Sequence, residues 1–112
     1  MDKLDQIFEL QKELNRYLGY DLQDLSDDQK ITWILNLTRA LNQETGELID
    51  TTPWKWWKKH QTLDLANSKK ELIDILHFVI SLALTLGMTP EELFQMYLEK
   101  NQVNHTRKDN NY

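Results

Sequence analysis

Four carboxylates stand in two equally spaced pairs: Glu44 and Glu47, then, after 23 intervening residues, Glu71 and Asp74. Residues three apart on a helix share a face, with about 5–6 Å between Cβ atoms. Two such helices packed antiparallel would bring all four acids together. An all-oxygen cluster of that kind suits Mg²⁺, a hard cation that takes carboxylate ligands and exchanges some of its waters for substrate phosphates. Two ions about 3.5–4 Å apart would clamp an in-line phosphoryl displacement. The spacing recurs at Asp2–Asp5, Asp21–Asp24, Asp24–Asp27 and Glu47–Asp50, and most acids so placed are solvated helix faces. Glu71 also follows Ser68 by three residues, the place of a capping-box glutamate. Asp74 argues for more. It lies within the most apolar helical stretch, where an uncompensated carboxylate is costly, and a metal, or His77 one turn on, would compensate it.

A second feature follows the first acid pair. PWKWWKKH (53–60) sets Trp54, Trp56 and Trp57, three of the four tryptophans, among Lys55, Lys58 and Lys59. Large rings with N–H donors, interleaved with cations, suit a wall for an anionic ligand. They equally suit the end cap of a helical bundle, or a hot spot for a protein partner in a non-enzymatic interaction module. Such a module has no use for an acid such as Asp74 in a core helix.

Helices must position these groups. Only 3 Gly and 2 Pro interrupt the chain, and β-branched residues never alternate over a long run. Leu4, Ile7, Phe8, Leu10, Leu14 and Leu18 recur at three- and four-residue spacing, predicting a first helix over about residues 2–18 that ends at Gly19. Ser26 with Gln29 has capping-box form and opens a second helix running to about Asp50. Pro53 breaks that pattern, and residues 51–66 form a connector. A third helix is expected from near Ser68 to Leu86, apolar on nearly every side from Leu72 onward, as befits the centre of a bundle. Gly87 suits its C-terminal cap, and Thr89-Pro90-x-Glu92 opens a fourth helix. That helix is expected to give way to a polar tail over 100–112. The prediction is a single all-α domain, 1–112, a bundle of about four helices with short connections.

The totals narrow the class. Net charge is −5, with 18 acids against 13 Lys and Arg, which argues against a duplex nucleic acid partner. Cysteine is absent, which excludes disulfides and thiolate zinc sites and fits a cytoplasmic protein. The first ten residues lack the cation-then-apolar order of a secretory leader. The longest apolar stretch, 73–87, carries Asp74, His77, Ser81 and Thr85 and is too short and polar to span a membrane. A chain of this length buries a modest core. With Ile31, Ile34, Phe78, Phe94 and Tyr97 among its apolar positions, a homodimer or higher homo-oligomer is expected.

Glu44-x-x-Glu47 followed by Glu71-x-x-Asp74 resembles the paired-acid signature of the all-α nucleoside triphosphate pyrophosphatases, the MazG-like superfamily. LQKELN (10–15), IDTTPWKWWK (49–58), ELIDILHFVIS (71–81) and the tail KNQVNHTRKDNNY (100–112) resemble the dimeric dUTPase branch in particular, in the same order. The chain is similar to the core of that branch at MazG-like length, with Asn111 where the branch tends to have Gly. This resemblance implies Mg²⁺-dependent hydrolysis of dUTP to dUMP and pyrophosphate. Glu44, Glu47, Glu71 and Asp74 would hold two or more ions, and Glu47 would take the proton of the attacking water. Gln11 and Asn15, one turn apart, would read the uracil edge with their amides. Trp54 and Trp57 would wall the site, and Lys55 and Lys58 would offset the triphosphate charge, while Trp56 occupies a more variable position. Lys100, Asn104 and Arg107 would meet the phosphates, with Tyr112 also contacting substrate. The alternative within enzymes is a pyrophosphatase of broader range, or one directed at dCTP.

Overall fold

A computed structural model of the chain describes residues 1–110. It contains four helices: α1 (Lys3–Tyr17), α2 (Asp27–Ile49), α3 (Leu65–Thr85) and α4 (Pro90–Asp109), with no strand among the described residues. The all-α expectation holds, and so do three of the helix starts. Asp2 and Asp5 form a reciprocal capping box on α1, Asp5 N donating to Asp2 Oδ1 at 2.8 Å and Asp2 N to Asp5 Oδ2 at 3.2 Å. One of the competing acid pairs is thereby explained as a cap. Ser26 and Gln29 form the expected box on α2. Thr89 caps α4 ahead of Pro90.

Two boundaries differ from the expectation. α3 begins at Leu65, capped by Asp64, whose side chain accepts from Asn67 N. Ser68 lies inside the helix, its hydroxyl occupied by Asp64 O and Thr51 Oγ1, so Glu71 is no capping residue. α4 continues through the segment expected as a tail. Residues 91–109 contain neither Gly nor Pro, and Arg107 and Lys108 in its last turn complement the helix dipole.

The core is small: Phe8, Leu22, Leu37, Ile80, Ala83 and Leu84 are buried, with Leu4, Tyr20, Leu25, Trp33, Phe78, Leu82, Met88 and Leu93 packed against them. Burying each large apolar side chain is worth about 1.5–3 kcal/mol, so these few positions carry much of the stability. α2 lies along α3, and α1 packs on another side of α3. α4 departs from this group. The chain bends by 105° between α3 and α4, at Gly87, whose φ of +73° costs glycine little. Pro90, Glu91 and Phe94 lie beside the start of α1, and no residue of α4 is buried. The radius of gyration is 17.3 Å, against roughly 13 Å for a compact chain of this length. No single helix among the described residues is long and apolar enough to cross a membrane.

Candidate metal centre

α2 and α3 run antiparallel, pinned where they meet. Thr51 Oγ1 and Ser68 Oγ share a hydrogen bond of 2.7 Å, and Asp64 N donates to Thr51 O at 2.8 Å. Two turns from this clasp, carboxylate oxygens of Glu44, Glu47 and Glu71 lie within 4.8 Å of one another. Glu44 and Glu71 are half-buried and Glu47 is exposed. The Oε2 atoms of Glu44 and Glu71 are shielded from solvent and have no hydrogen-bond partner. None of these acids is ion-paired among the described residues.

Such crowding needs compensation. The Glu44 carboxyl is pushed up to about 7, first by the hydrogen bond its protonated form makes with Glu47. Burial, a bond to Glu71 and the charges of Glu47 and Asp74 raise it further. A proton is one compensator. A hard divalent cation is the other, and it would also satisfy the two unpartnered oxygens. The donor set, all carboxylate, fits Mg²⁺.

Asp74 corrects the sequence argument. It lies outside the close triad and is exposed, because the apolar period of α3 identifies apolar residues without saying which sides are covered. Its charge nevertheless reaches Glu44. His77 does not compensate it either: His77 Nδ1 bonds Gln11 Oε1.

That contact belongs to a polar chain between α1 and α3 that is buried at Gln11, Asn15 and Ser81 and exposed at His77. Gln11 Nε2 donates to Asn15 Oδ1 at 3.0 Å, and Asn15 Nδ2 donates to Ser81 Oγ at 3.2 Å. Gln11 and Asn15 are 6% and 1% exposed, so neither belongs to a solvated face. Gln11 and His77 also line a cavity of about 220 Å³ walled by Ile7, Leu10, Ile73, Leu76 and Ile80; Asn15 does not. Sequence reasoning left His77 and Ser81 without a partner on α1. The signal was present: two polar residues four apart on α3 match two polar residues four apart on α1.

The tryptophans do not cap the bundle. Trp54, Trp56 and Trp57 are 42%, 85% and 57% exposed, and none packs against the core. They form a cluster of their own. Trp57 meets Trp54 edge-on at 5.7 Å and Trp56 at 4.7 Å, and Lys55 Nζ lies 5.6 Å over the Trp54 ring. Trp54 Nε1 donates to Asp50 Oδ1 at 3.0 Å, which ties the cluster one turn beyond Glu47. The Gln61 side chain holds the loop in shape by donating to the carbonyls of Lys55 and Lys58. Lys58 itself is exposed.

Lys100, Asn104 and Arg107 sit on the outer half of α4, all exposed, and within one chain that helix carries them away from the carboxylates. Tyr112 lies outside the described residues.

Residues 3–90 match the family model described as dUTPase. A dCTP pyrophosphatase of Enterobacteria phage T4 is 35% identical over 88 residues, covering 68% of this chain and 52% of that protein. A dCTP pyrophosphatase of Enterobacteria phage LZ5 is 28% identical over 144 aligned positions, covering all of this chain and 84% of that protein. A DNA replication protein of phage T4 is 33% identical over 78 residues, which span 20% of its length. The chain thus spans about half of the first relative and most of the second. No solved structure gives a significant match.

Proposed function

The chain belongs to the dUTPase family, of the all-α MazG-like type, and from that membership we propose that it is a deoxynucleoside triphosphate pyrophosphohydrolase. The favoured substrate is dUTP, cleaved by water to dUMP and pyrophosphate. The observation that carries this reading is the pair of shielded, unpartnered oxygens on Glu44 and Glu71 within the carboxylate cluster. Glu44, Glu47, Glu71 and Asp74 would hold two or more Mg²⁺ ions, which neutralise phosphate charge and make water more acidic. Glu47, the exposed member of the triad, accepts the proton of the attacking water. Its neighbour Glu44 needs to be ionised for the cluster to hold a cation.

The rest of the chain binds and orients. Trp54, tied to Asp50 one turn beyond Glu47, would wall the site together with Trp57, and Lys55 and Lys58 would offset the triphosphate charge. The cavity between α1 and α3 is apolar except for Gln11 and His77, a composition suited to a flat base with one hydrogen-bonding edge. Asn15 acts behind Gln11, fixing its amide. Lys100, Asn104 and Arg107 would meet the phosphates, with Tyr112 also contacting substrate.

A second reading, dCTP as the preferred base, is favoured by the two phage relatives named dCTP pyrophosphatase. Pyrophosphate release from each deoxynucleoside and ribonucleoside triphosphate, with and without Mg²⁺, tests both. Mg²⁺-dependent release fastest from dUTP supports the first, and fastest from dCTP the second. No release from any of them rejects the function.

A further inference from the structure

Asp50 is an acid that neither the carboxylate cluster nor its own helix accounts for. It follows Glu47 by three residues, as Glu47 follows Glu44, so the three form a row along α2. The close triad stops at Glu47 on that helix and takes its third member, Glu71, from α3. Asp50 is also the C-cap of α2, whose last turn holds no basic residue. A negative charge there opposes the helix dipole, since the final carbonyls already carry partial negative charge. Helix stability therefore gives no reason for an acid at this position.

What Asp50 holds is Trp54, whose Nε1 donates to Asp50 Oδ1 at 3.0 Å. Among the described residues, the other hydrogen bonds of residues 53–60 stay inside the connector. Lys58 N donates to Lys55 O, and the Gln61 amide donates to Lys55 O and Lys58 O. These bonds shape the loop without tying it to a helix. The clasp at Thr51 fixes the base of the connector but no ring. The remaining rings hang on Trp54 in series. Trp57 meets it edge-on and Trp56 meets Trp57 in turn, with exposure rising in that order. Lys55 Nζ rests over the face of the same Trp54 ring. One bond thus links three indoles and a cation to the helix that carries Glu44 and Glu47.

We propose that Asp50 is a positioning residue for substrate. It holds the Trp54 ring, and through it Trp57 and Lys55, at a fixed place beside the carboxylates. The Trp54 N–H is occupied by Asp50, so this ring offers a substrate its apolar surface and not a donor. Asp50 acts through Trp54 on binding, and not on the attack of water. The proposal rests on the pyrophosphatase reading for its substrate and on the indole bond for its geometry.

Variants of both partners test it. Asp50→Ala removes the acceptor, Asp50→Asn keeps an oxygen acceptor without the charge, and Trp54→Phe keeps a ring without the N–H. Asp50→Ala should raise KM about three- to tenfold, the scale of one hydrogen bond, while kcat and the thermal midpoint stay near wild type. Asp50→Asn should restore most of that loss. Asp50→Ala combined with Trp54→Phe should be no worse than Trp54→Phe alone, because both remove the same bond. Any of three results overturns the proposal: Asp50→Asn as impaired as Asp50→Ala, additive losses in the double variant, or a lower thermal midpoint with KM unmoved. The indole N–H proton resonance of Trp54, identified by its absence in Trp54→Phe, reads the contact without turnover. In the ligand-free chain it should move upfield with Asp50→Ala and keep most of its shift with Asp50→Asn. A resonance that ignores Asp50→Ala overturns the geometry. A wild-type chain that releases no pyrophosphate refutes the pyrophosphatase reading instead, and the indole resonance still tests the bond.

Discussion

Two polar clusters flank α3, and they are built on opposite plans. Toward α1, the amides of Gln11 and Asn15 join His77 and Ser81 in a chain of hydrogen bonds in which each side chain has a partner. Toward α2, Glu44, Glu47 and Glu71 crowd like charges and leave two shielded oxygens with none. A closed network stabilises the bundle. An open one is a fault in the isolated chain unless something else completes it. The comparison separates side chains that partner one another from side chains that do not.

The sharpest way to break that contrast is at Glu47. Glu47→Gln should lower turnover by about 10²–10⁴-fold, the usual contribution of a general base, with the thermal midpoint unchanged or raised, since a repelling charge is lost. Pyrophosphate release and thermal melting together check it. A variant with wild-type turnover would mean that another group takes the proton.

Asn15→Ala should do the reverse, acting first on stability. It leaves Gln11 and Ser81 short of a buried partner, at a cost of about 1–3 kcal/mol, and should lower the thermal midpoint by several degrees. If the amide chain also sets the Gln11 edge toward the base, kcat/KM should fall more for dUTP than for dCTP. Equal losses for both substrates would leave the network purely structural.

pH should sharpen the contrast further. The Glu44 carboxyl, raised to about 7 in the folded chain from 4.5, holds a proton that the unfolded chain releases within that window. Metal-free stability should therefore fall as pH rises from the lower value through the upper one. Mg²⁺ binding needs the carboxylate, so apparent affinity should climb over the same rise and level off beyond it. Melting curves and calorimetric Mg²⁺ titrations across this range check both signs, and Glu44→Gln should flatten the stability slope.

The smallest effect concerns the exposed rings. Adding Mg²⁺ with a non-hydrolysable dUTP analogue should change tryptophan emission. Trp57→Phe should weaken the change, and Trp56→Phe, removing the most exposed ring, should matter less. Saturable binding without any change in emission would dissociate the rings from the ligand.

How far the sequence could be read follows from what each signal encodes. The period of apolar residues identified four helices, and capping residues located the starts of α2 and α4, because both are local. Paired spacing made the acids legible, since i and i+3 must share a face. The start of α3 was misread at Ser68 because two capping residues compete there, and only the tertiary bond from Ser68 to Thr51 decides for Asp64. Asp74 was misjudged because periodicity does not say which sides of a helix are covered. The outer half of α4 was misread because a polar helix that packs on nothing looks like a tail.

The clasp between Thr51 and Ser68 has one more consequence. It closes the tryptophan connector at its base, so the segment hangs from the α2–α3 pair as a closed loop. Doubling the length of a closed loop costs only about 0.6 kcal/mol. Lengthening the loop is therefore cheap for the fold, while its ends stay fixed by the clasp and by the Trp54–Asp50 bond.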